Sequence, residues 1–206
     1  MTMRSRTPVL GVLCSGRGTN LQAILDACRA GRLRARVGVV IADQADALAL
    51  SRAVRAGVPA VFLHPADAPS RRAYDARLVK ALRAHRVELV CLAGFMRMLS
   101  PVFVRAFRGR ILNVHPALLP AFPGAHAVRD ALAWGARVTG VTVHLVDEQV
   151  DHGPILLQEP LVIRPDDTEA RLLAKLHRIE HALYPRAIQL MLSGRVRVRG
   201  RRAVIR

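Results

Sequence analysis

The sequence predicts an α/β fold: a Rossmann-like, mostly parallel, doubly wound sheet, followed by a partly antiparallel C-terminal portion and a long C-terminal helix. Three observations predict it. Short apolar segments alternate with helical patterns roughly every 25–30 residues, which is typical of parallel sheets covered by helices. The pattern then changes to closely spaced strands in the second half. The chain has 206 residues, 51% of them hydrophobic, which suits a single domain with a full core.

Four apolar segments in the first half are predicted to be buried strands: Pro8–Cys14, Arg36–Ala42, Val58–Leu63 and Val87–Ala93. Helical spacing of apolar residues predicts a helix around Leu21–Cys28 and two more at Ala45–Ala56 and Ser70–His85.

The second half follows a different pattern. Predicted strands are Arg110–Val114, Val141–Val146 and Ile155–Val162, the last two antiparallel. A proline-rich loop, HPALLPAFPG, follows the first of them, and a short helix contains Asp130–Trp134. A long helix is predicted from Asp167 to Leu192, with a kink near Pro185. The tail alternates valine and arginine around Gly200, as in a small exposed β-hairpin.

Composition excludes several classes. The basic start of the chain leads into an apolar run that a Gly-rich turn interrupts, which favours a first strand over a signal peptide. Cys14, Cys28 and Cys91 are too few for a disulfide framework or a metal site, so we expect a cytoplasmic protein with reduced thiols and no metal. No stretch approaches the roughly 20 uninterrupted apolar residues of a membrane span, so we expect no membrane contact. The net charge of +17 comes from scattered arginines, which favours a compositional bias over a nucleic-acid interface. A positive field would also attract anionic substrates.

The loop Ser15–Asn20 is a candidate anion site. Its two glycines, between a strand and a helix, allow backbone N–H groups to approach a phosphate, and the helix N-terminus adds positive charge. Leu21 replaces the third glycine of a dinucleotide fingerprint, so a single phosphate is the better ligand. The alternative is a tight turn with an asparagine cap.

Two further segments follow strands. Gly94–Leu99, which includes Phe95 and the two methionines, would lie at the carboxyl edge of the sheet, where ligands bind in open α/β folds. Asn113 and His115 share one side of their strand. A histidine can exchange a proton near neutral pH and an asparagine amide can donate to an oxyanion. A strand end with core methionines and a structural histidine are the alternatives.

The segment Asp147–Pro154 is an acidic turn before Gly-Pro. Asp151 can orient a histidine or hold a water, although a solvated turn explains it as well. Asn, His and Asp with no credible Ser or Cys nucleophile and no zinc-like spacing point to direct acyl transfer rather than a covalent triad.

The segments SGRGTNLQAIL, LAGFMRMLSP, ILNVHPALLPAFPG and DEQVDHGPIL resemble the folate-dependent formyltransferases, in the glycinamide ribonucleotide branch. The resemblance runs from about Val9 to Leu192. It departs from the commonest pattern of that family at Ala117, Ala121, Val128 and Val141.

The resemblance implies a single domain, 1–206. Residues of about 8–100 would form the phosphate-binding half, about 101–192 the folate-binding and catalytic half, and 193–206 an Arg-rich tail. Asn113, His115 and Asp151 match the catalytic trio. Gly18, Thr19, Asn20, Gly94, His177, Arg178, Ile179 and Glu180 would bind the ribonucleotide, 5'-phosphoribosylglycinamide. Arg71, Met96, Arg97, Met98, Leu99, Asn113, Asp147, Glu148, Gln149 and Val150 would bind the co-substrate, 10-formyltetrahydrofolate.

Two relatives of this chemistry remain as alternatives. Methionyl-tRNA formyltransferases carry an additional C-terminal RNA-binding domain, and we expect the segment after Leu192 to be too short for one. Formyltetrahydrofolate hydrolases usually carry an additional N-terminal regulatory domain, which we do not expect from this sequence. We expect small-molecule substrates, no nucleic acid as the main ligand, and a monomer or homodimer.

Overall fold

The computed structural model describes residues 7–206; the basic start, residues 1–6, lies outside them. The strands are β1 Val9–Cys14, β2 Arg36–Ala42, β3 Ala60–Phe62, β4 Leu89–Leu92, β5 Ile111–His115, β6 Val138–Leu145, β7 Ile155–Val162, β8 Val196–Arg199 and β9 Arg202–Ile205. The α-helices are α1 Thr19–Arg29, α2 Leu48–Arg55, α3 Arg71–Ala84, α4 Pro101–Ala106, α5 Ala127–Ala133 and α6 Glu169–Leu192, and a 3₁₀ turn spans Pro65–Asp67.

The described strands form one sheet in the order β3-β2-β1-β4-β5-β6-β7-β9-β8. Strands β1 to β5 pair in parallel. The pairs β5–β6 and β6–β7 are antiparallel, which confirms the predicted change of pattern. The predicted hairpin forms as β8–β9, and it joins the main sheet because Ile155 of β7 pairs with Arg202 of β9.

Helices cover both faces of the sheet, as the doubly wound prediction requires. Alternate residues of β1 enter two separate cores, with Leu10 and Val12 in one and Val9 and Leu13 in the other. The first core is closed by α1, α2, α5 and α6, and the second by α3 and α4. Burial on both faces explains the nearly uninterrupted apolar run of this strand.

The long helix α6 lies under the sheet edge where the site forms. The buried Tyr184 hydroxyl lies 2.9 Å from the carbonyl oxygens of both Leu92 and Leu112, one on β4 and one on β5. Its single proton serves either oxygen. The hydroxyl therefore ties α6 to the two strands that lead into the functional loops. Pro185 lies inside the helix, and the kink predicted there stays a prediction.

Sequence reasoning missed α4. Ser100 precedes Pro101, and a proline in the first turn after a serine is a helix-start signal, so the information was present. The helix matters for the site because it closes the second core below the segment Gly94–Leu99, where Phe103 and Phe107 are fully buried.

Candidate active site

A cavity of about 260 Å³ opens at the carboxyl end of β4 and β5, beside the loop that joins β6 to β7. The predicted residues that line it are Gly94, Met96, Arg97, Met98, Leu99, Asn113, His115 and Asp147–Asp151. Segments distant in sequence therefore meet at one edge of the sheet, which is where open α/β folds place their ligands.

Strand pairing positions the polar side chains. β5 carries Asn113 and His115, and the antiparallel register sets Asn113 opposite His144 of β6. The loop after β6 then returns Asp151 to the same place. The two predicted residues of β5 do share one side, because both reach the Asp151 carboxylate.

Asp151 joins the site through both carboxylate oxygens. Its Oδ1 accepts a hydrogen bond from Asn113 Nδ2 at 3.3 Å and lies 3.5 Å from His144 Nε2. Its Oδ2 lies 3.3 Å from His115 Nδ1 and accepts the backbone N–H of Gly124 at 2.8 Å. One carboxylate thus fixes three polar side chains and the end of the proline-rich loop.

The backbone holds Asp151 in an uncommon conformation. Its φ of +47° lies in the left-handed region, which aspartate tolerates better than most residues but still at a cost. Two residues on, Gly153 packs against β6 so closely that a Cβ would lie 1.8 Å from the Leu145 carbonyl oxygen. Only glycine fits there, so the sequence Asp-His-Gly folds the turn that aims the carboxylate inward.

His115 has an acceptor at each ring nitrogen. Its Nε2 lies 2.8 Å from the carbonyl oxygen of Phe122, and Nδ1 faces Asp151. Since both oxygens can only accept, the doubly protonated ring satisfies both contacts. Burial lowers the pKa of His115, while the charge of Asp151 and the Phe122 carbonyl act in the opposite direction. The site is therefore arranged to stabilise a proton that burial disfavours.

The pKa of Asp151 is lowered. Burial opposes its ionisation, but the contact with the His144 ring, the hydrogen bond from the Gly124 N–H and the charge of His115 outweigh it. Asp151 is accordingly the fixed negative charge of the site.

His144 is not among the site residues predicted from the sequence, but it belongs to the site as a supporting residue. It is 1% exposed, and its Nδ1 donates to the Leu145 carbonyl oxygen at 2.9 Å. A neutral ring then has a lone pair on Nε2, which accepts the Asn113 amide at 3.2 Å. This contact orients the Asn113 side chain with its N–H groups toward His144 and Asp151.

We expect His144→Leu to lower kcat about 10-fold to 10²-fold, because Asn113 loses the acceptor that fixes its amide. His144→Gln retains an acceptor near Nε2 and is expected to recover part of the loss. Steady-state kinetics on both variants, with thermal midpoints to establish folding, makes the comparison. Equal activity in the wild type and the leucine variant would contradict this role.

The loop Ser15–Asn20 lies next to the cavity segment. Ser15 donates its backbone N–H to the Gly94 carbonyl at 3.0 Å, and its hydroxyl accepts the Met96 N–H at 2.9 Å. Gly18 begins α1 with φ +68°, and a Cβ there would lie 2.9 Å from Ala49. The glycine is thus required by both conformation and space.

Glu180 meets this loop from α6. It is 4% exposed, and Asn20 Nδ2 donates to its Oε2 at 2.7 Å. Burial raises the pKa of Glu180, against the smaller effect of that hydrogen bond. Asn20 Oδ1 is buried and has no hydrogen-bond partner among the residues that the structure describes. A buried carboxyl with an incompletely bonded asparagine is expensive structurally and typical of a binding site.

Some predicted residues lie elsewhere. Arg71, at the start of α3, is not one of the described residues that line the cavity. Arg178 and Ile179 line a separate depression beside Glu159 of β7. His177 stacks on His181, with ring centroids 6.0 Å apart. His177 and Glu180 are three residues apart and share one face of α6, and the charge of His177 acts to lower the pKa of Glu180, whereas Arg178 and Ile179 point elsewhere.

The cavity differs from the serine, cysteine and lysine sites of covalent acyl transfer. Its described lining contains no Ser, Thr, Cys or Lys side chain. Cys14 is buried in the core, and burial raises the pKa of its thiol to about 12. In the described part of the chain, no group of three or more His, Cys, Asp or Glu side chains is placed to hold a metal ion. Nor is any helix within residues 7–206 long and apolar enough to cross a membrane.

An open α/β sheet with an Asn-His-Asp cluster at its edge, and a described cavity lining without serine, threonine, cysteine or lysine, suits an enzyme that transfers an acyl group. A family model described as formyl transferase matches residues 10–188, and the chain belongs to that family. Strands β8 and β9 lie beyond the matched residues.

Individual members of the family show which formyltransferases this chain resembles. The phosphoribosylglycinamide formyltransferase of Mycobacterium tuberculosis is 46% identical, over 95% of this chain and 90% of its own length. The trifunctional purine biosynthetic protein adenosine-3 of Drosophila melanogaster is 46% identical over 93% of this chain, which spans only 14% of that protein. The crystal structure of glycinamide ribonucleotide transformylase 1 from Symbiobacterium toebii superposes with a TM-score of 0.97 at 50% identity, covering 100% of this chain and 98% of that one.

Proposed function

We propose that this enzyme transfers the formyl group of 10-formyltetrahydrofolate to the amine of 5'-phosphoribosylglycinamide, giving formylglycinamide ribonucleotide and tetrahydrofolate in purine biosynthesis. The names of its relatives support the ribonucleotide acceptor and the formyl group that is transferred, and the folate donor rests on the family resemblance of the sequence. The observation that carries the mechanism is the Asp151 carboxylate, which holds Asn113 and His115 together at the cavity wall.

In the proposed reaction the amine nitrogen attacks the formyl carbon, and the carbonyl electron pair moves to oxygen. Asn113 gives up its long 3.3 Å hydrogen bond to Asp151 and donates that N–H to the oxygen, and protonated His115 stabilises the oxyanion through its charge. The C–N bond to the folate then breaks, and the proton lost by the amine reaches the leaving folate nitrogen through a water that Asp151 positions. Asp151 also stabilises the positive charge on His115, since its carboxylate faces Nδ1 at 3.3 Å.

The cavity walls suit a folate. Met96 and Met98, which are 68% and 57% exposed, offer adaptable apolar surface for a flat ring system. Asp147–Val150 also line the cavity and supply polar groups. We assign Arg97 and Leu99 to the same site, and we place Arg71 outside it in this conformation.

The ribonucleotide phosphate would bind at Gly18, Thr19 and Asn20, and Glu180 would accept hydrogen bonds from ribose hydroxyls. The loop lies at the start of α1, where free backbone N–H groups can bind a phosphate. The Ser15 contacts with Gly94 and Met96 connect this subsite to the formyl-transfer cavity. On this basis residues of about 8–100 act as the phosphate-binding half and about 101–192 as the folate-binding and catalytic half.

Glu180→Gln tests the substrate role. Because burial raises the pKa of Glu180, its ionised form destabilises the folded state increasingly as the pH rises from the ordinary value of 4.5 through the raised pKa. The glutamine variant should therefore be more stable at pH 7 by about 1 kcal/mol, or roughly 2–4 °C, with no gain near pH 4.

The same variant should bind the ribonucleotide more weakly, with its KM raised about 10-fold or more, because an amide is a poorer acceptor than a carboxylate. Glu159→Gln, on the exposed part of β7, serves as the control. An unchanged KM in Glu180→Gln would remove this residue from the substrate site.

One assay tests the function itself. The protein is mixed with 10-formyltetrahydrofolate, and folate release is followed with glycinamide ribonucleotide, with charged methionyl-tRNA, and with neither. Release that requires glycinamide ribonucleotide supports the proposal. Release that requires the tRNA, or that proceeds without an acceptor, would instead identify a methionyl-tRNA formyltransferase or a hydrolase.

A further inference from the structure

The C-terminal hairpin, defined as residues 196–205, is docked on the sheet. β9 pairs in parallel with β7 through Arg202 and Ile155, immediately after the loop that carries Asp151. Val196 and Ala203 pack against the larger core. The turn of the hairpin, Gly200-Arg201, therefore has a fixed position beside the cavity loop.

Arg201 contacts that loop through its guanidinium. One nitrogen donates to the His152 carbonyl oxygen at 2.7 Å, and the other makes a close contact with His152 Nε2. An arginine side chain can only donate, so Nε2 accepts and the ring proton lies on Nδ1. Nδ1 in turn donates to Asp147 Oδ2 at 2.8 Å.

The chain of contacts ends at the cavity. Asp147 lines it, and its second oxygen accepts the Gln149 N–H at 2.9 Å. His152 directly follows Asp151, whose left-handed backbone aims its carboxylate at His115. Gly153, packed on the Leu145 carbonyl, anchors only the far end of the loop. Arg105 of α4 also contacts Glu148 of this loop at 3.3 Å, and Arg201 supplies a further anchor, on both the backbone and the ring of the residue next to Asp151.

We propose that Arg201 is a positioning residue for the formyl-transfer site, and that the C-terminal hairpin is a working part of that site. The expected loss of kcat rests on the proposed function, whereas the expected change in the order of residues 147–152 does not. Arginine suits the role because its planar fork donates two bonds in fixed directions, which a lysine cannot reproduce.

The test is Arg201→Ala, with Arg197→Ala as the matched control. Arg197 lies on β8 of the same hairpin, and no hydrogen bond joins its side chain to residues 147–152 in the described structure. The Arg201 variant should show faster amide hydrogen exchange at 147–152, a kcat lowered about 10-fold and an unchanged KM for glycinamide ribonucleotide. Arg201→Lys should restore little of the loss.

His152→Ala removes the same contact from the other side. If Arg201 acts through His152, the double variant loses no more activity than the larger single loss. Exchange at 147–152 that matches the wild type in Arg201→Ala, or full restoration by lysine, would overturn the inference. Because exchange needs no substrate, the inference is tested even if the wild type proves to formylate something other than glycinamide ribonucleotide.

Discussion

Replacing His115 with alanine is expected to lower kcat by about 10²–10³-fold, because the developing oxyanion loses its charged partner. The substrates should still bind, since the methionine wall and the Gly18 loop are untouched. Asp151 retains bonds from Asn113 and Gly124, so the loop should keep its position. Steady-state kcat and KM for both substrates provide the measurement.

His85→Ala is the matched control, since His85 lies at the C-terminal end of α3, outside the cavity lining. It should leave kcat within about 2-fold of the wild type, as surface substitutions usually do. Turnover near the wild-type value in His115→Ala would remove His115 from the mechanism.

Asp151→Asn is the second change with a large expected effect, again about 10²–10³-fold in kcat. The amide keeps the shape but removes the negative charge that favours a proton on His115. It also introduces a donor where Asp151 Oδ1 now accepts from Asn113. The charge on His115 and the direction of the Asn113 amide are therefore both disturbed by one substitution.

The sign of the pH effect follows from the same charge. Asp151 raises the pKa of His115, so the asparagine variant should titrate His115 at lower pH than the wild type. NMR titration of the imidazole checks this directly. Asp166→Asn, in the exposed turn before α6, controls for the loss of one carboxylate. A His115 pKa that is unchanged or higher in Asp151→Asn would contradict the pairing.

Much of the fold was predictable because both faces of the parallel strands are buried. β2 and β7 begin and end at the predicted residues, while the helix predicted from Ala45 begins at Leu48. Helix ends depend on caps and loop contacts that propensity does not describe, such as the Ala49 N–H bonded to the Gly16 carbonyl.

Part of the site was also predictable from local sequence patterns. Alternation along β5 placed Asn113 and His115 on one side, and the acidic turn before Gly153 and Pro154 indicated Asp151, which the family resemblance then matched to the catalytic trio. The role of His144 depends on antiparallel register with Asn113, and that of Arg201 on docking of the hairpin. Neither contact has a local sequence signal, because each joins residues more than 30 positions apart.

We propose that the enzyme transfers a formyl group to a ribonucleotide amine, and that Asn113, His115 and Asp151 promote this reaction. A single-turnover reaction with ¹³C-formyl-labelled 10-formyltetrahydrofolate and glycinamide ribonucleotide, run with the wild type and with Asn113→Ala, tests it most directly. We expect the label to appear in the formamide of the ribonucleotide product, about 10²–10³-fold more slowly in the variant. Label released as free formate, or equal rates in the two proteins, would contradict it.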